Sequence, residues 1–405
     1  MKTLEHLERA GKTKDTRAVS RRKVLREGVL CGSVLLSGFD KLQIPDLTPQ
    51  TTSDPFAGGK RLGIVPFSDE PRPPMGQAIG AELDGRLFTD LSDLRPENPV
   101  TPTNSFYIRT RASKLLDTAK SWTIQLRGPE DPIVMPVKTL VKMAQPMGLH
   151  LMECVGNTRS AHFGMLSVAD WDGVLVQEIL ESAGLRLSAG RVFISGFDQY
   201  ATESRTSLPG ASWIFAPDEL VPSRAFLATK MNGQPLTADH GAPIRLVVPG
   251  YYGCACIKWV NEILFVAEDA RATSQMQEYA GRTMQEGVPE LAKEYRPARI
   301  DMAAMPIRIE KWSAGGKIKF RVVGIQWGGP RPLDGLEIRF NVNESYVPVD
   351  DFRSSDGDSW SFWSHAWIPA KSGEYLITLR IRGADKLARR LESGYYARSV
   401  QISEI

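Results

Sequence analysis

The chain has 405 residues, 42% hydrophobic and 24% charged, which is ordinary globular composition with apolar material for a large core and about two folded units. Lys and Arg (50) nearly balance Asp and Glu (47), so nucleic acid and anionic membrane surfaces are not expected partners, and any positive field must be local. Four cysteines, at 31, 154, 254 and 256, are too few and too unevenly placed for a disulfide scaffold or a paired zinc site.

Residues 1–39 read as an address. A polar start leads through Ser20-Arg21-Arg22-Lys23-Val24-Leu25 into an apolar run from Gly28 to Phe39, the pattern of a twin-arginine export signal to the periplasm or beyond. The run is too short to span a bilayer. Leu36-Ser37-Gly38 is a poor cleavage match, so a retained membrane anchor stays open, as does a plain basic turn ahead of a buried helix. Export of folded protein is needed chiefly when a cofactor is inserted inside the cell. Residues 40–98, rich in Pro, Gly, Asp, Ser and Thr, read as an extended linker draped over the unit that follows.

Asn104–Arg111 is expected as a strand with Arg109 and Arg111 on one side. Further strands are expected at Ser121–Arg127, Ile133–Pro136 and Arg191–Gly196, with Asp198 just past the end of the last. Val137–Met143 reads as a short helix, and Gly173–Ala183 as an amphipathic helix after a Trp-Asp-Gly turn. Between them lies His150-Leu151-Met152-Glu153-Cys154-Val155-Gly156-Asn157-Thr158-Arg159. A thiol followed by turn-tolerant Gly and Asn and then a cation suits an exposed thiolate in an electropositive turn, as metal ligand or nucleophile. An inert buried cysteine is the alternative.

A second dense stretch runs from Asp239 to Val260. His240 and Arg245 flank the turn residues Gly241 and Pro243, Ile244–Val248 reads as a buried strand, and Gly250, Gly253 and Lys258 follow. Two cations and an imidazole around glycine-rich turns suit an anion pocket; a capped hairpin with a core histidine is the plainer reading. Cys254 and Cys256 are too close for an unstrained bridge and read as free thiols.

Met152–Arg159, Ser167–Val174, Met231–Leu236 and Asp239–Trp259, in that order and spacing, resemble the sulfite oxidase family of molybdopterin enzymes over roughly residues 95–405. The implied fold class is α+β: a sulfite-oxidase-type molybdopterin-binding catalytic domain (99–300) followed by an immunoglobulin-like β-sandwich (305–405) that makes a homodimer. Alternating strands at Lys317–Gly324, Leu336–Val342 and Glu374–Ile381, with Trp327, Trp360 and Trp363 as core aromatics, agree with a sandwich. The resemblance implies Cys154 as the thiolate ligand of molybdenum, a soft donor for a metal chelated by a dithiolene. It also implies Tyr107, Ile108, Arg109, Asp198, His240, Arg245, Cys256, Ile257 and Lys258 around the pterin and its phosphate. Arg109, Arg159 and Tyr279 would serve the substrate.

The sequence departs from that pattern at Ser361, where the family places a further substrate arginine between tryptophans. Arg111 replaces an expected histidine and could compensate; Ala280 replaces a lysine. No haem motif is present in this chain, so electrons would leave to a separate acceptor such as a c-type cytochrome. The expectation is therefore an exported molybdenum-molybdopterin enzyme that oxidises a small anionic substrate such as sulfite. Its rivals are a reductase of sulfoxides or other oxyanions on the same fold, a dehydrogenase of sulfur carriers, and a non-catalytic exported binding protein.

Overall fold

The computed structural model describes residues 54–68, 73–117, 121–128, 131–187, 190–329, 335–353, 359–382 and 388–404; the expected export signal lies outside them. Four sheets and a few short helices make up these residues. The strand Leu166–Leu175 is central to the first sheet, paired antiparallel with Gln145–Glu153 on one side and Phe226–Met231 on the other, with Arg245–Val247 at the edge. Seven of its ten residues are buried, the near-continuous apolar pattern of a strand covered on both faces. The second sheet orders Ile133–Pro136, Thr123–Arg127, Val260–Val266, Arg191–Gly196 and Ser212–Phe215, with one parallel pair in its middle.

The helices follow local rules. Val137–Met143 starts after Pro136 and buries Val137 and Leu140, three apart on one face. Val176–Ser182 buries Val176, Ile179 and Leu180 and stops before Gly184, whose φ of +73° ends the turn. This second helix is shorter than its sequence suggests, because Trp171-Asp172-Gly173 is not a turn but the end of the strand. Gly173 is there for close approach: a Cβ would stand 2.5 Å from the Leu227 carbonyl oxygen across the sheet. Asn104–Arg111 also differs. It forms a 3-10 turn, Thr103–Ser105, then irregular backbone held by a single bridge between Leu87 and Ile108.

Two antiparallel sheets occupy the carboxyl-terminal part. One orders Lys60–Val65, Ala303–Ala314, Lys317–Trp327, Ser361–Trp367 and Asp351–Arg353; the other Val347–Pro348, Leu336–Arg339, Gly373–Ile381 and Arg398–Ile402. Trp367 joins them, stacked on Phe340 at 4.3 Å and edge-on to Tyr375 at 4.8 Å. Lys60–Val65 comes from the stretch expected as a linker, and Leu83, Leu87, Phe88 and Leu91 from the same stretch are buried. Its turn-rich composition hid these contributions, which are too short and scattered to show a period.

A buried carboxylate links the carboxyl-terminal sheets to the first sheet. Glu153, the last residue of Gln145–Glu153, is fully buried and accepts the Trp327 indole N–H at 2.8 Å, the Tyr396 hydroxyl at 3.3 Å and the Asn157 amide at 3.4 Å. Burial raises its pKa, while Arg390 and these donors pull the other way. Tyr396 also meets Trp327 edge-on at 5.2 Å. Replacing Trp327 by Phe keeps the ring and removes the donor, leaving a buried carboxylate oxygen unsatisfied. The expected cost is about 1–3 kcal/mol, read as a lower urea midpoint; an unchanged midpoint would show that Glu153 is held without Trp327.

Candidate active site

Cys154 begins the turn that leaves the first sheet. Its N–H donates to the Met165 carbonyl at 3.0 Å, continuing the ladder one residue past the strand, and its carbonyl accepts the Asn157 N–H at 2.8 Å. Asn157 closes the turn by accepting the Met165 N–H at 3.0 Å on its side-chain oxygen. Carboxyl-terminal residues roof it: Arg390 donates to the Val155 carbonyl at 3.0 Å and Tyr395 to the Asn157 carbonyl at 2.7 Å. The expectation of an exposed thiolate is therefore corrected, since this roof leaves Cys154 only 5% exposed. Burial pushes its thiol pKa up; Arg109, the Gly156 N–H (3.4 Å from Sγ) and Arg86 oppose that shift.

The thiol nevertheless faces space. It lines a cavity, partly open to solvent, whose wall includes Tyr107, Ile108, Arg109, Asp198, His240, Arg245, Cys256, Ile257, Lys258 and Tyr279. These residues come from segments up to 170 positions apart and meet because the Asp239–Val260 stretch folds back beside the cysteine turn. Gly253 makes the closest approach: a Cβ there would stand 2.6 Å from the Tyr107 hydroxyl.

The cationic wall is partly satisfied by backbone. Arg245 is buried and donates to the His240 carbonyl at 3.2 Å, the Met152 sulfur at 3.1 Å and the Cys256 carbonyl at 3.4 Å, but its Nε has no partner. Burial lowers its pKa. Lys258 donates to the carbonyls of Thr110 and of Asp239 (2.9 Å) and lies 4.4 Å from the Trp259 ring centroid. Burial, then Arg245, hold its ammonium well below the usual lysine range. His240 meets the Phe106 carbonyl through Nε2 at 3.2 Å and the Thr237 hydroxyl through Nδ1 at 2.7 Å. A carbonyl only accepts, so the neutral ring carries its proton on Nε2 and Thr237 donates to Nδ1. Asp198 accepts the Ala211 N–H at 2.9 Å, and burial raises its pKa. Tyr279 ends the helix Ser274–Tyr279, beside Gln275 and Glu278 on the cavity face, and burial lifts its hydroxyl to about 12 despite Arg109.

Several expected substrate groups are placed differently. Arg159 opens the 3-10 turn Arg159–Ala161 and is not among the residues that line this cavity. Arg111 is committed to Asp239 at 2.9 Å and does not stand in for a missing arginine. Ser361 is buried in Ser361–Trp367, paired in register with Gln326, and lines no part of the cavity. Sequence reasoning missed Arg86, Arg282, Arg389 and Arg390. With Arg109 and Gly156 they line a second, more open cavity that the cysteine turn borders through Val155, Gly156 and Thr158. Arg86 and Arg109 share the Ser207 hydroxyl (3.4 and 3.0 Å), and Arg86 also bonds the Arg109 carbonyl at 2.5 Å. No local pattern marks these four arginines, which converge only through tertiary folding.

A buried thiol in a cavity walled by Arg, Lys and neutral His suits an anionic organic cofactor. Residues 111–274 match the family model described as oxidoreductase molybdopterin binding domain, and the site is that of a molybdopterin-binding oxidoreductase. Among curated relatives, a nitrate reductase [NADPH] of Fusarium oxysporum is 27% identical over 308 residues, covering 66% of this chain and 33% of that protein. The mitochondrial sulfite oxidase of Mus musculus is 33% identical over 144 residues, 32% of this chain and 26% of that protein. The sulfite oxidase of Arabidopsis thaliana is 26% identical over 337 residues, covering 74% and 85%. The chain spans only about a quarter to two fifths of the length of the first several relatives. The solved structure of the sulfane dehydrogenase SoxCD from Paracoccus pantotrophus shares the fold, with a TM-score of 0.57 at 16% identity over 91% of this chain and 96% of that one. The matched domain and these relatives support the sulfite oxidase family of molybdopterin-dependent oxidoreductases.

Burial, reinforced by Lys258 and Arg245, lowers the His240 pKa from 6.5 to about 4. Below pH 6.5 the unfolded chain binds a proton that the folded one refuses, so stability from this residue is intact above 6.5 and is lost as pH falls toward 4. His240→Gln should remove up to about 3 kcal/mol of the acid destabilisation in that window, measured by urea unfolding across pH. An unaltered pH profile would place the titration elsewhere.

Proposed function

We propose that this chain is an exported sulfite dehydrogenase, oxidising sulfite to sulfate and passing electrons to a separate c-type cytochrome. The observation that carries this reading is the place of Cys154, a soft donor that lines the cavity walled by Arg109, Arg245 and Lys258 and is followed by Val155 and Gly156 in the wall of an arginine-lined one. The Cys154 thiolate would be this chain's ligand to a metal carried by an organic chelate, a soft donor suited to that role.

The residues fit such a group. The unpartnered Nε of Arg245 and the remaining ammonium proton of Lys258 suit the pterin phosphate, and neutral His240 holds the backbone of Phe106 against it. Tyr107, Ile108, Arg109, Asp198, Cys256 and Ile257 would enclose the pterin, with Gly253 leaving it room. When bound, the molybdenum centre supplies two-electron oxo transfer, by which sulfite and water become sulfate, two protons and two electrons. Arg109 binds the anion and offsets its charge as it approaches the thiolate. Tyr279, protonated at every working pH, donates a hydrogen bond to the reacting oxygens.

The twin arginines at 21 and 22 support export, and the two carboxyl-terminal sheets support an immunoglobulin-like module that pairs two copies. Among the described residues no helix is long and apolar enough to cross a membrane. A reductase of nitrate, sulfoxide or another oxyanion is the second reading, favoured by the nitrate reductase relatives and by Ser361.

Natively exported protein should contain near-stoichiometric molybdenum and reduce oxidised cytochrome c with sulfite. Turnover of nitrate or methionine sulfoxide with a reduced dye, and none of sulfite, would establish the reductase instead. Cys154→Ser should lower kcat by at least about 100-fold and lower the molybdenum content; retained turnover would remove Cys154 from the site.

A further inference from the structure

The second cavity contains five arginines and, in its lining, no carboxylate. Two of the five are committed. Arg389 forks onto Asp301 with two bonds of 2.8 Å, and Arg390 spends Nη2 on the carbonyls of Val155 and Arg282. The other three have no carboxylate partner among the described residues. Arg86 and Arg109 bond only carbonyls and the Ser207 hydroxyl. Burial first, and then the adjacent charge of Arg109, lower the Arg86 pKa to about 10.

Arg282 has the most freedom and the best position. Its guanidinium lies over the Tyr279 ring at 5.7 Å, and Nη1 stands 3.4 Å from the point where a Cβ on Gly156 would sit. The Cys154 sulfur stands 3.7 Å from that same point. The guanidinium and the thiol therefore both lie within 4 Å of the space that Gly156 leaves empty. Its backbone carbonyl is fixed by Arg390, which anchors the loop that presents it.

We propose that Arg282 completes, with Arg86 and Arg109, the site that binds the substrate oxyanion beside Cys154, taking the place assigned by resemblance to Arg159 and left vacant at Ser361. The ligand class is a small multiply charged oxyanion, bound by guanidinium groups that line one cavity. The identity of that anion as sulfite rests on the proposed function; the geometry of the site does not.

The test uses the molybdenum-loaded enzyme and two readouts, sulfate binding by isothermal titration calorimetry and the steady-state KM for sulfite. Arg282→Ala should weaken sulfate binding and raise KM by about 10- to 100-fold, with molybdenum content unchanged and kcat affected less. Arg282→Lys should recover part of the affinity. Arg271→Ala, which deletes a surface charge paired with Glu290, controls for net charge and should leave sulfate binding within about twofold. Unchanged sulfate affinity in Arg282→Ala, or a loss seen in Arg159→Ala instead, overturns the proposal. Sulfate binding lost in Arg282→Ala by an enzyme that does not turn over sulfite would uphold the anion site while rejecting the substrate.

Discussion

The carboxylate of Glu153 is the joint on which the site hangs. It ends the strand Gln145–Glu153, immediately before the thiol, and is gripped by Trp327 and Tyr396 from the carboxyl-terminal part and by Asn157 from the turn itself. Burying a carboxylate is costly unless it is hydrogen-bonded and faces a cation, and Arg390 supplies that cation while bonding the Val155 carbonyl. The cysteine turn is thus fixed from both sides. The carboxyl-terminal sheets meet the cysteine turn at this joint.

Around that turn the protein concentrates positive charge that its overall balance of +3 does not announce. The cost of holding guanidinium and ammonium groups close together is met in two ways. In the first cavity Arg245 and Lys258 spend donors on backbone carbonyls, and His240 stays neutral. In the second, Arg86, Arg109 and Arg282 are left without carboxylates, and an anion arriving there gains what the folded chain has withheld. Burial raises the pKa of the Cys154 thiol, and the neighbouring Arg109 and Arg86 oppose that shift by favouring the thiolate.

Much of this was legible in the sequence where chemistry is local. The strands Ile133–Pro136 and Arg191–Gly196 and the helix Val137–Met143 stand where periodicity and turn residues place them, and the motif residues from Tyr107 to Lys258 gather around one cavity. What was not legible depended on contacts between distant segments. Gly173 looks like a turn residue but sits inside a strand, because only the facing carbonyl of Leu227 explains it. Arg159 looks like a substrate group by spacing, yet it is not among the residues that line the cavity. Arg86, Arg282 and Arg390 carry no motif, and Lys60–Val65 pairs with a strand some 250 positions later.

The central claim is that the sulfur of Cys154 binds molybdenum within this cation-walled cavity. X-ray absorption at the molybdenum edge addresses it most directly, comparing wild-type protein with whatever metal-loaded fraction of Cys154→Ser can be isolated. The wild-type spectrum should show one thiolate sulfur beyond the two of a pterin dithiolene, and the variant should lack it. Identical sulfur coordination in the two proteins would contradict the claim.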